Sequence, residues 1–468
     1  MQSLDDFCSK IKEYKLQKES IEIISYTTKF EKFVNDVCFN KTFSNIKIFP
    51  RMYWSHPEDG KIIGFGSVGE YASSEFEYNK LDNFISSIQK SILSNIENHE
   101  MIKILGGIAF NQLDAEAKSS DEWQKFPNTY FFLPKIIIST IDNEIFITLN
   151  LKLDLIRSSS VKEEFDRLLV KITSHFVKLG NNNIELSHIL VNNQNSTQSF
   201  DQWKENISKI KILIENSSLE KLVLANSKIL QLSKSINIGN CLDYLLKNYS
   251  EAYIFALEIE ESNIFISATP ELLVHKSNGK LISDAIAGSR PRGIGYDEDL
   301  KLENDLLLSK KDRKEHKFVV EQIIKKLTDA GLQKIKTNEP YVVKLKNIQH
   351  LKAEINADCD KSLPELIQIL HPTAAVGGVP SEQALHNIII LENMDRGWYA
   401  SPVGWITCED SGKFVVAIRS ALVKDLKVVL YAGAGIVSDS DADAEWKEIG
   451  VKFEPMMKAL GVGNVNPQ

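Results

Sequence analysis

The chain has 468 residues, of which 43% are hydrophobic and 25% are charged, proportions typical of folded globular proteins rather than disordered chains. This length allows one large domain or two to three smaller ones. The net charge of -8 argues against a nucleic-acid partner or an anionic membrane surface, because both require clustered lysines and arginines.

Cysteine usage and the N-terminal residues predict a cytoplasmic protein. The five cysteines are widely and irregularly spaced, and no Cys-x-x-Cys pair indicates a zinc or redox site. The opening residues, MQSLDDFCSKIKEYK, lack the apolar core of a signal peptide. No run of about 18 apolar residues occurs, so we expect no membrane-spanning helix and no membrane partner.

Short strands and two helices are predicted for the first part of the chain. The turn HPEDG separates two strand-like stretches, IKIFPRMYW and KIIGFGSVGEY, and three further apolar runs predict strands between residues 101 and 153. Apolar residues at helical spacing predict one helix over 80–97 and another over 161–180, closed by Gly180. The polar stretches 181–188 and 191–202 are typical of loops.

The second part of the chain alternates strand and helix patterns from Ser199 onward. In order, these patterns predict a helix through Trp203 and Ile210, strands over 219–232 and 252–288, one long helix over 297–331 closed by Gly331, strands over 412–436, and a helix over 441–460. Neighbouring strands joined by short loops, with helices set apart, indicate an α+β fold. We divide the chain into regions 1–198 and 199–468, within one integrated domain.

Two carboxylates on the last predicted helix form a candidate site. Glu445 and Glu448 are three residues apart and therefore share a helix face. They follow a glycine-rich turn, Gly433-Ala434-Gly435, where the backbone can approach a ligand closely. Acidic residues are also common at helix starts because of the helix dipole, so this pair alone does not establish a site.

Two further residues could carry chemistry. Glu315, in KKDRKEH, could bind a hard cation such as Mg²⁺, which prefers carboxylate oxygens. Lys221 begins the apolar strand KLVLA, where burial would favour the neutral amine that can act as a base. In isolation, an exposed charged helix turn and a strand-edge lysine are the more common explanations.

Taken together, these residues lie in a series of runs that resembles the chorismate-utilising enzymes. In family order, between about residues 205 and 460, the runs are KLVLANS, FISATPELLVHKSNGKL, AIAGSRPRG, LLLSKKDRKEHKFVVEQI, NIQHL, LHPTAAVGGVP, RGWYASPVGW, VVAIRSA, YAGAGIV and EWKEIG. The first region resembles the longer isochorismate synthases of that family, through RMYWSHPEDGKIIGFGSVGEY. The resemblance implies the family's fold, with large antiparallel sheets in a β-sandwich-like core flanked by helices.

The resemblance also implies catalytic and metal-binding roles. Lys221 corresponds to the base that activates water, and Glu271, in SATPELL, to the acid that protonates the departing hydroxyl. Glu315 and Glu448 correspond to ligands of a Mg²⁺ cofactor, and Glu445 would reach that ion directly or through water. The substrate-binding positions of the family match Gly288, Ser289, His350, Ala375, Tyr399, Arg419, Gly433 and Gly435.

The reaction implied by this resemblance is the isomerisation of chorismate to isochorismate. Water adds at C2 of the ring while the C4 hydroxyl leaves, which requires a neutral base and a protonated acid. Both forms are the reverse of those that lysine and glutamate adopt in water, so the pocket must perturb them. Mg²⁺ would neutralise the ring carboxylate, and the planar guanidinium of Arg419 suits the pyruvyl carboxylate.

Other reactions of the family are less compatible with the sequence. Ala287 stands where aminodeoxychorismate synthases carry a nucleophilic lysine, so that covalent route is not expected. Anthranilate synthases lack the base that corresponds to Lys221 and use a glutaminase partner, which we do not expect here. Salicylate synthase is the main alternative, and a non-enzymatic chorismate-binding regulator is an alternative of another class. Asn226 and Asp284 depart from the arginine and glutamate usual at their positions. A siderophore-pathway isochorismate synthase is a further alternative, although the resemblance of the long first region favours the menaquinone pathway.

Overall fold

The computed structural model describes residues 3–15, 21–33, 37–97, 99–110, 121–153, 161–176 and 189–462. Within these ranges the helices are α1 (Leu4–Lys15), α2 (Phe39–Asn45), α3 (Tyr78–Ser91), α4 (Val161–Ser174), α5 (Phe200–Asn216), α6 (Ile238–Asn248), α7 (Tyr296–Leu308), α8 (Lys310–Asp329), α9 (Leu363–Leu370), α10 (Ser381–Glu392) and α11 (Ala442–Ala459).

The strands begin with β1 (Ile23–Phe33), β2 (Arg51–His56), β3 (Gly60–Phe65), β4 (Gly69–Ser73), β5 (Ile92–Ser94), β6 (Lys103–Ile108), β7 (Thr129–Leu133), β8 (Ile136–Ile141), β9 (Glu144–Lys152), β10 (Val191–Ser196), β11 (Lys221–Leu232) and β12 (Tyr253–Glu258). They continue with β13 (Asn263–Thr269), β14 (Leu272–Ser277), β15 (Lys280–Pro291), β16 (Gln333–Thr337), β17 (Tyr341–Lys344), β18 (Ile348–Asp358), β19 (Gly378–Val379), β20 (Pro402–Thr407), β21 (Gly412–Val416), β22 (Ser420–Lys424) and β23 (Lys427–Ile436).

These strands form two large sheets. The larger sheet has the order β10-β11-β23-β22-β13-β12-β2-β3-β8-β9-β1-β5, with the short β19 also paired to β11. The smaller has the order β16-β18-β15-β14-β21-β20-β6-β7-β4, with β17 also paired to β18. Neighbouring strands of the described chain run antiparallel except β1 and β5. The predicted α+β fold with large antiparallel sheets is therefore confirmed.

Both sheets contain strands from each of the two regions distinguished in the sequence. In the larger sheet, β2 of region 1–198 pairs with β12 of region 199–468. In the smaller sheet, β6 pairs with β20 in the same manner. Backbone hydrogen bonds thus join the first region to the second in both layers.

The two sheets share one continuous hydrophobic core. It includes large, fully buried side chains from both layers, such as Trp54 on β2 and Phe131 on β7. At Gly64 on β3, an added Cβ would lie 2.5 Å from Cδ1 of Leu105 on β6, so the backbone of one sheet approaches side chains of the other. Removal of this apolar surface from water stabilises the fold by about 25 cal/mol per Å².

The prediction of a single long helix over 297–331 is wrong. Helix α7 ends at Leu308 and α8 begins at Lys310. Between them, Ser309 adopts an extended backbone, and its hydroxyl oxygen accepts a hydrogen bond from the Asp312 amide at 3.2 Å. This is an N-cap. The apolar spacing continues through the break, which is why periodicity alone did not detect it.

Three other boundary predictions also need correction. The polar stretch at 191–196 is not a loop but β10, and Gly433-Ala434-Gly435 is not a turn but part of β23. Both are held by backbone pairing with β11, and such tertiary pairing outweighs low intrinsic strand propensity. The helix predicted over 80–97 ends at Ser91.

The predicted cap at Gly180 and loop over 181–188 lie outside the described residues. None of the described helices has the length and apolar character needed to cross a membrane.

Candidate active site

The predicted base lies at the centre of a buried ion pair. Lys221 is the first residue of β11, where an uninterrupted apolar run is covered on both faces. Its side chain is about 1% exposed, and Nζ lies 3.0 Å from Oε1 of Glu315 on α8. The structure therefore brings together two residues that are far apart in the sequence and that were assigned to different roles.

Gly435 provides the space for this pair. It lies on β23, which is hydrogen-bonded to β11. A Cβ at position 435 would lie 2.3 Å from Oε1 of Glu315 and 2.8 Å from Cε of Lys221. Both distances are below van der Waals contact, so a side chain here would displace the pair. The close approach requires glycine.

The predicted acid is Glu271, which is buried between β13 and β14. Burial, reinforced by the negative charge of Asp284, raises the pKa of Glu271 from 4.5 to about 8, although the positive charges of Lys221 and Arg419 oppose this shift. The hydroxyl of Thr373 points at Oε1 of Glu271 from 3.5 Å. At neutral pH this carboxyl is therefore protonated, which is the form that a general acid requires.

The three predicted metal ligands line one cavity of about 300 Å³, together with Ser289 and Gly435. Each carboxylate is paired with a lysine. Beside the Lys221–Glu315 pair, Nζ of Lys311 lies 2.9 Å from Oε1 of Glu445, and Nζ of Lys452 lies 2.6 Å from Oε1 of Glu448.

The two glutamates of α11 influence each other's ionisation. Burial, followed by the neighbouring charge of Glu448, raises the pKa of Glu445. Burial also disfavours the charged form of Glu448, but Lys452 and Arg419 together outweigh burial, so the pKa of Glu448 is lowered. A buried carboxylate beside a partly buried one is an arrangement that a cation stabilises.

The chemistry of these residues fits a Mg²⁺ ion. No three His, Cys, Asp or Glu side chains in the described ranges form a ready-made metal cluster. However, Mg²⁺ is commonly held by one or two carboxylates with water and substrate oxygens, so a cluster of three is not required. Glu445 and Glu448 could hold the ion, with Glu315 on the facing wall of the cavity, once their lysine partners move aside.

A second group of predicted substrate-binding residues is joined by hydrogen bonds around Arg419. Nη2 of Arg419 donates a hydrogen bond to Nε2 of His350 at 3.1 Å. Because arginine can only donate, the imidazole proton is on Nδ1, which donates to the carbonyl oxygen of Gly288 and the hydroxyl of Ser289, both at 3.1 Å. Burial, together with the positive charge of Arg419, lowers the pKa of His350 to about 3, so the ring is neutral.

Arg419 itself has unused hydrogen-bonding capacity. It is buried and has a φ of 50°, which is unusual for a residue other than glycine. Its Nε is buried without a hydrogen-bond partner. A buried guanidinium with a free donor is a fitting partner for a ligand carboxylate.

The remaining substrate-binding predictions lie around these groups. Gly288 has a φ of 72° at a bulge in β15, which turns Ser289 toward His350. Tyr399 is buried and stacks on Tyr431, and a Cβ at Gly433 would lie 3.1 Å from its hydroxyl. Ala375 is half-buried in the loop between α9 and β19, two residues after Thr373. Its link to the other site residues is through that loop.

Residues not singled out in the sequence complete the site. Lys452 pairs with Glu448 and also donates to the carbonyl oxygen of Gly433 at 2.8 Å. Its spacing of four residues from Glu448 on a helix was a usable signal, since such residues share a face. Lys311 and Thr373 carried no comparable signal, because their partners lie on other elements.

A buried ion pair supports the strand that carries Lys221. On one edge of β11, β19 pairs with its first residues and β10 with its last, and side chains bond to the residues between. Oε1 of Glu392 accepts a hydrogen bond from the Ala225 amide at 2.7 Å, and Nη2 of Arg396 donates one to the carbonyl oxygen of Val223 at 2.9 Å. Glu392 and Arg396 also bond to each other. These contacts satisfy buried backbone groups that no strand reaches.

Comparison with known proteins identifies the family of this chain. The family model described as "Chorismate binding enzyme" matches residues 8–461. Isochorismate synthase MenF of Bacillus subtilis is 30% identical over 423 residues, which cover 88% of each chain. The salicylate biosynthesis isochorismate synthase of Pseudomonas aeruginosa is 36% identical over 267 residues, or 57% of this chain and 56% of its own.

A solved structure supports the same fold. MenF, the menaquinone-specific isochorismate synthase from Escherichia coli, superposes with a TM-score of 0.78 over 98% of this chain and 100% of its own, at 23% identity. The family match covers nearly the whole chain, and the described site contains the residues that the sequence resemblance assigned. The chain belongs to the family of chorismate-binding enzymes.

Proposed function

We propose that this protein is an isochorismate synthase, which isomerises chorismate to isochorismate with Mg²⁺ as its cofactor. The observation that carries the proposal is the combination of buried Lys221 with the raised pKa of Glu271. A water-adding isomerisation needs one base and one acid near each other, and Lys221 is close enough to Glu271 for its charge to act on the pKa of that carboxyl. Similarity to MenF of Bacillus subtilis over 88% of both chains supports the same reaction.

In the proposed chemistry, Lys221 is the base, Glu271 is the acid, and Arg419 and His350 bind the substrate. Lys221, in its neutral form, removes a proton from the water that attacks C2 of the ring. Glu271 donates its proton to the C4 hydroxyl, which leaves as water while the ring double bonds shift. Exchange with solvent then restores both protonation states. Arg419 and His350 hold a substrate carboxylate, and the pocket excludes bulk water from the acid.

The nucleophile in this proposal is water rather than an amine or a protein group. Ala287, at the position where a covalent mechanism would need lysine, is small and buried on β15. Mg²⁺, when bound by the glutamates of the cavity, supplies the positive charge that neutralises and orients the ring carboxylate. We expect no glutaminase subunit, because ammonia is not consumed.

Product analysis tests the reaction directly. The purified protein is incubated with chorismate, Mg²⁺ and ammonium, and the products are separated by chromatography. Isochorismate is the expected product. Salicylate with pyruvate would identify a salicylate synthase instead, and anthranilate would identify an amine-adding enzyme. Chorismate binding without conversion would contradict an enzymatic function.

Metal dependence is a separate prediction. We expect EDTA to stop turnover and Mg²⁺ to restore it, because the cavity carboxylates need a cation to accept an anionic substrate. Glu448→Gln should weaken Mg²⁺ binding, measured by calorimetry without substrate, by about tenfold or more. Mutation of residues that only hydrogen-bond to a metal ligand already lowers metal affinity by about 10–100-fold, and loss of a ligand should cost at least as much. Glu454→Gln, which changes a partly exposed residue of the same helix that pairs with Lys458, is the matched control. Metal-independent turnover would contradict the cofactor.

The pathway is also part of the proposal. Similarity to MenF of Bacillus subtilis over 88% of both chains supports a menaquinone role, and we propose that the protein acts in the cytoplasm. Restored menaquinone in a bacterial strain that lacks its own isochorismate synthase would support it. Failure to restore menaquinone, with isochorismate still formed in vitro, would favour another pathway.

A further inference from the structure

We propose that Gln322 is a positioning residue that fixes the relative positions of the acid, Glu271, and the base, Lys221. The inference rests on the proposed function. Gln322 is on α8, seven residues after Glu315 and therefore two turns along the same helix face. It was not among the site residues assigned from the sequence.

The side-chain amide of Gln322 forms hydrogen bonds to three residues of the segment that follows α9. Nε2 donates to the carbonyl oxygen of Gly378 at 3.0 Å and to the hydroxyl of Ser381 at 2.8 Å. Oε1 accepts a hydrogen bond from the backbone amide of Ala374. One rigid, planar group thus fixes the span of backbone from 374 to 378.

The two ends of that span lead to the two reacting groups. At one end, Thr373 precedes Ala374 and contacts the carboxyl of Glu271. At the other end, Gly378 belongs to β19, whose two residues pair with Leu222 and Lys221. A shift of backbone 374–378 toward either end would therefore change the distance between Glu271 and Lys221.

Neighbouring side chains hold other parts of the same loop. Lys326 on α8 donates to the carbonyl oxygens of Leu370 and Pro372, before the span begins. Arg396 donates to the carbonyl oxygen of Val376, within the span. Among the described contacts, Gln322 is the side chain that reaches both ends. Its helix also carries Glu315, the partner of Lys221.

This arrangement predicts an effect on turnover and not on substrate affinity. The anion-binding residues Arg419 and His350 lie outside the span and have no hydrogen bond to Gln322 among the described contacts. Gln322→Met keeps the length of the side chain but removes its hydrogen bonds. Because small misplacements of reacting groups can lower rates by about 100-fold, we expect kcat to fall by about 10- to 100-fold, with KM within about twofold of wild type.

A second substitution separates the two ends. Gln322→Glu keeps an acceptor for the Ala374 amide but has no donor for Gly378, so the base side alone is released. We expect a smaller loss of kcat than for Gln322→Met. Gln202→Met is the control, because the described hydrogen bond of the Gln202 side chain is to the Ser199 amide at the start of α5 and not to the segment 373–379. It should lower the melting temperature and leave kcat unchanged.

The experiment measures kcat and KM from chorismate consumption, together with backbone hydrogen exchange over 373–379. Faster exchange in this segment of Gln322→Met, with the kcat loss and an unchanged KM, is the expected result. A kcat within twofold of wild type, or a loss confined to KM or thermal stability, would overturn the inference. The assay follows loss of chorismate and not formation of one product. If the wild-type product is not isochorismate, the proposed function is contradicted, but the kcat values of wild type and variants can still be compared.

Discussion

Lys221→Ala is expected to lower kcat for isochorismate formation by about 10²- to 10⁴-fold, the usual contribution of a general base. The amine is the basic group that the structure buries beside the predicted metal ligands, and no other lysine of the described chain pairs with Glu315. The measurement is steady-state isochorismate formation under saturating chorismate and Mg²⁺. Turnover close to that of wild type would remove Lys221 from the mechanism.

The alanine variant also leaves the partly buried carboxylate of Glu315 without its partner, and breaking a buried ion pair can destabilise a protein by about 3–5 kcal/mol. Lys221→Gln avoids this, because an amide still donates a hydrogen bond to Glu315 but cannot act as the base. It should be as inactive as the alanine variant and melt closer to wild type. Lys228→Ala is the matched control. Lys228 is on the same strand, lies an odd number of residues away and therefore on the opposite face, and sits over the Phe453 ring.

Glu271→Gln is expected to lower kcat by a similar factor, because the amide keeps the shape of the side chain but has no acidic proton to donate. The pH profile gives an independent check. The pKa of about 8 means that free Glu271 is protonated below this pH and ionised above it. Wild-type kcat/KM should therefore fall as the pH rises through about 8. A rate that keeps rising beyond pH 9 would contradict the role of the acid.

The same pKa shift predicts how stability depends on pH. Between 4.5 and about 8 the folded protein holds a proton on Glu271 that the unfolded chain releases. The contribution of this group to the free energy of unfolding must therefore decrease as pH rises through that window. Glu271→Gln should remove this decrease, measured by denaturant titration at pH 5 and pH 8.

Asp284→Asn tests the cause of the shift. The charge of Asp284 is the second contribution, after burial, that raises the pKa of Glu271. Its removal should move the alkaline limb of kcat/KM to lower pH while leaving substantial activity. Lys352, the ion-pair partner of Asp284 at 2.7 Å, is partly exposed, so its charge can turn toward water. An unchanged limb would show that burial alone sets the acidity of Glu271.

Local sequence features predicted most of the secondary structure. The apolar runs at β11–β15 and β20–β23 formed strands because their side chains are buried on both faces or alternate between core and surface. The errors arose where the decisive contact was with a distant element. The polar β10 is a strand because β11 supplies its hydrogen bonds, and the glycines of β23 extend along the same partner. The missed break at Ser309 is different, since its cap was local and present in the sequence.

The sequence by itself determined the family pattern, the fold class, and the residue types that the site contains. Lys221, Glu271, Glu315 and Glu448 could be named because resemblance attaches a role to each position. Only the tertiary structure decided how these groups affect one another. It paired Lys221 with Glu315, placed a lysine on each cavity carboxylate, and buried Glu271 near Asp284. Burial and distances of a few ångströms set proton affinity and charge, and both depend on strands and helices that are remote in the chain.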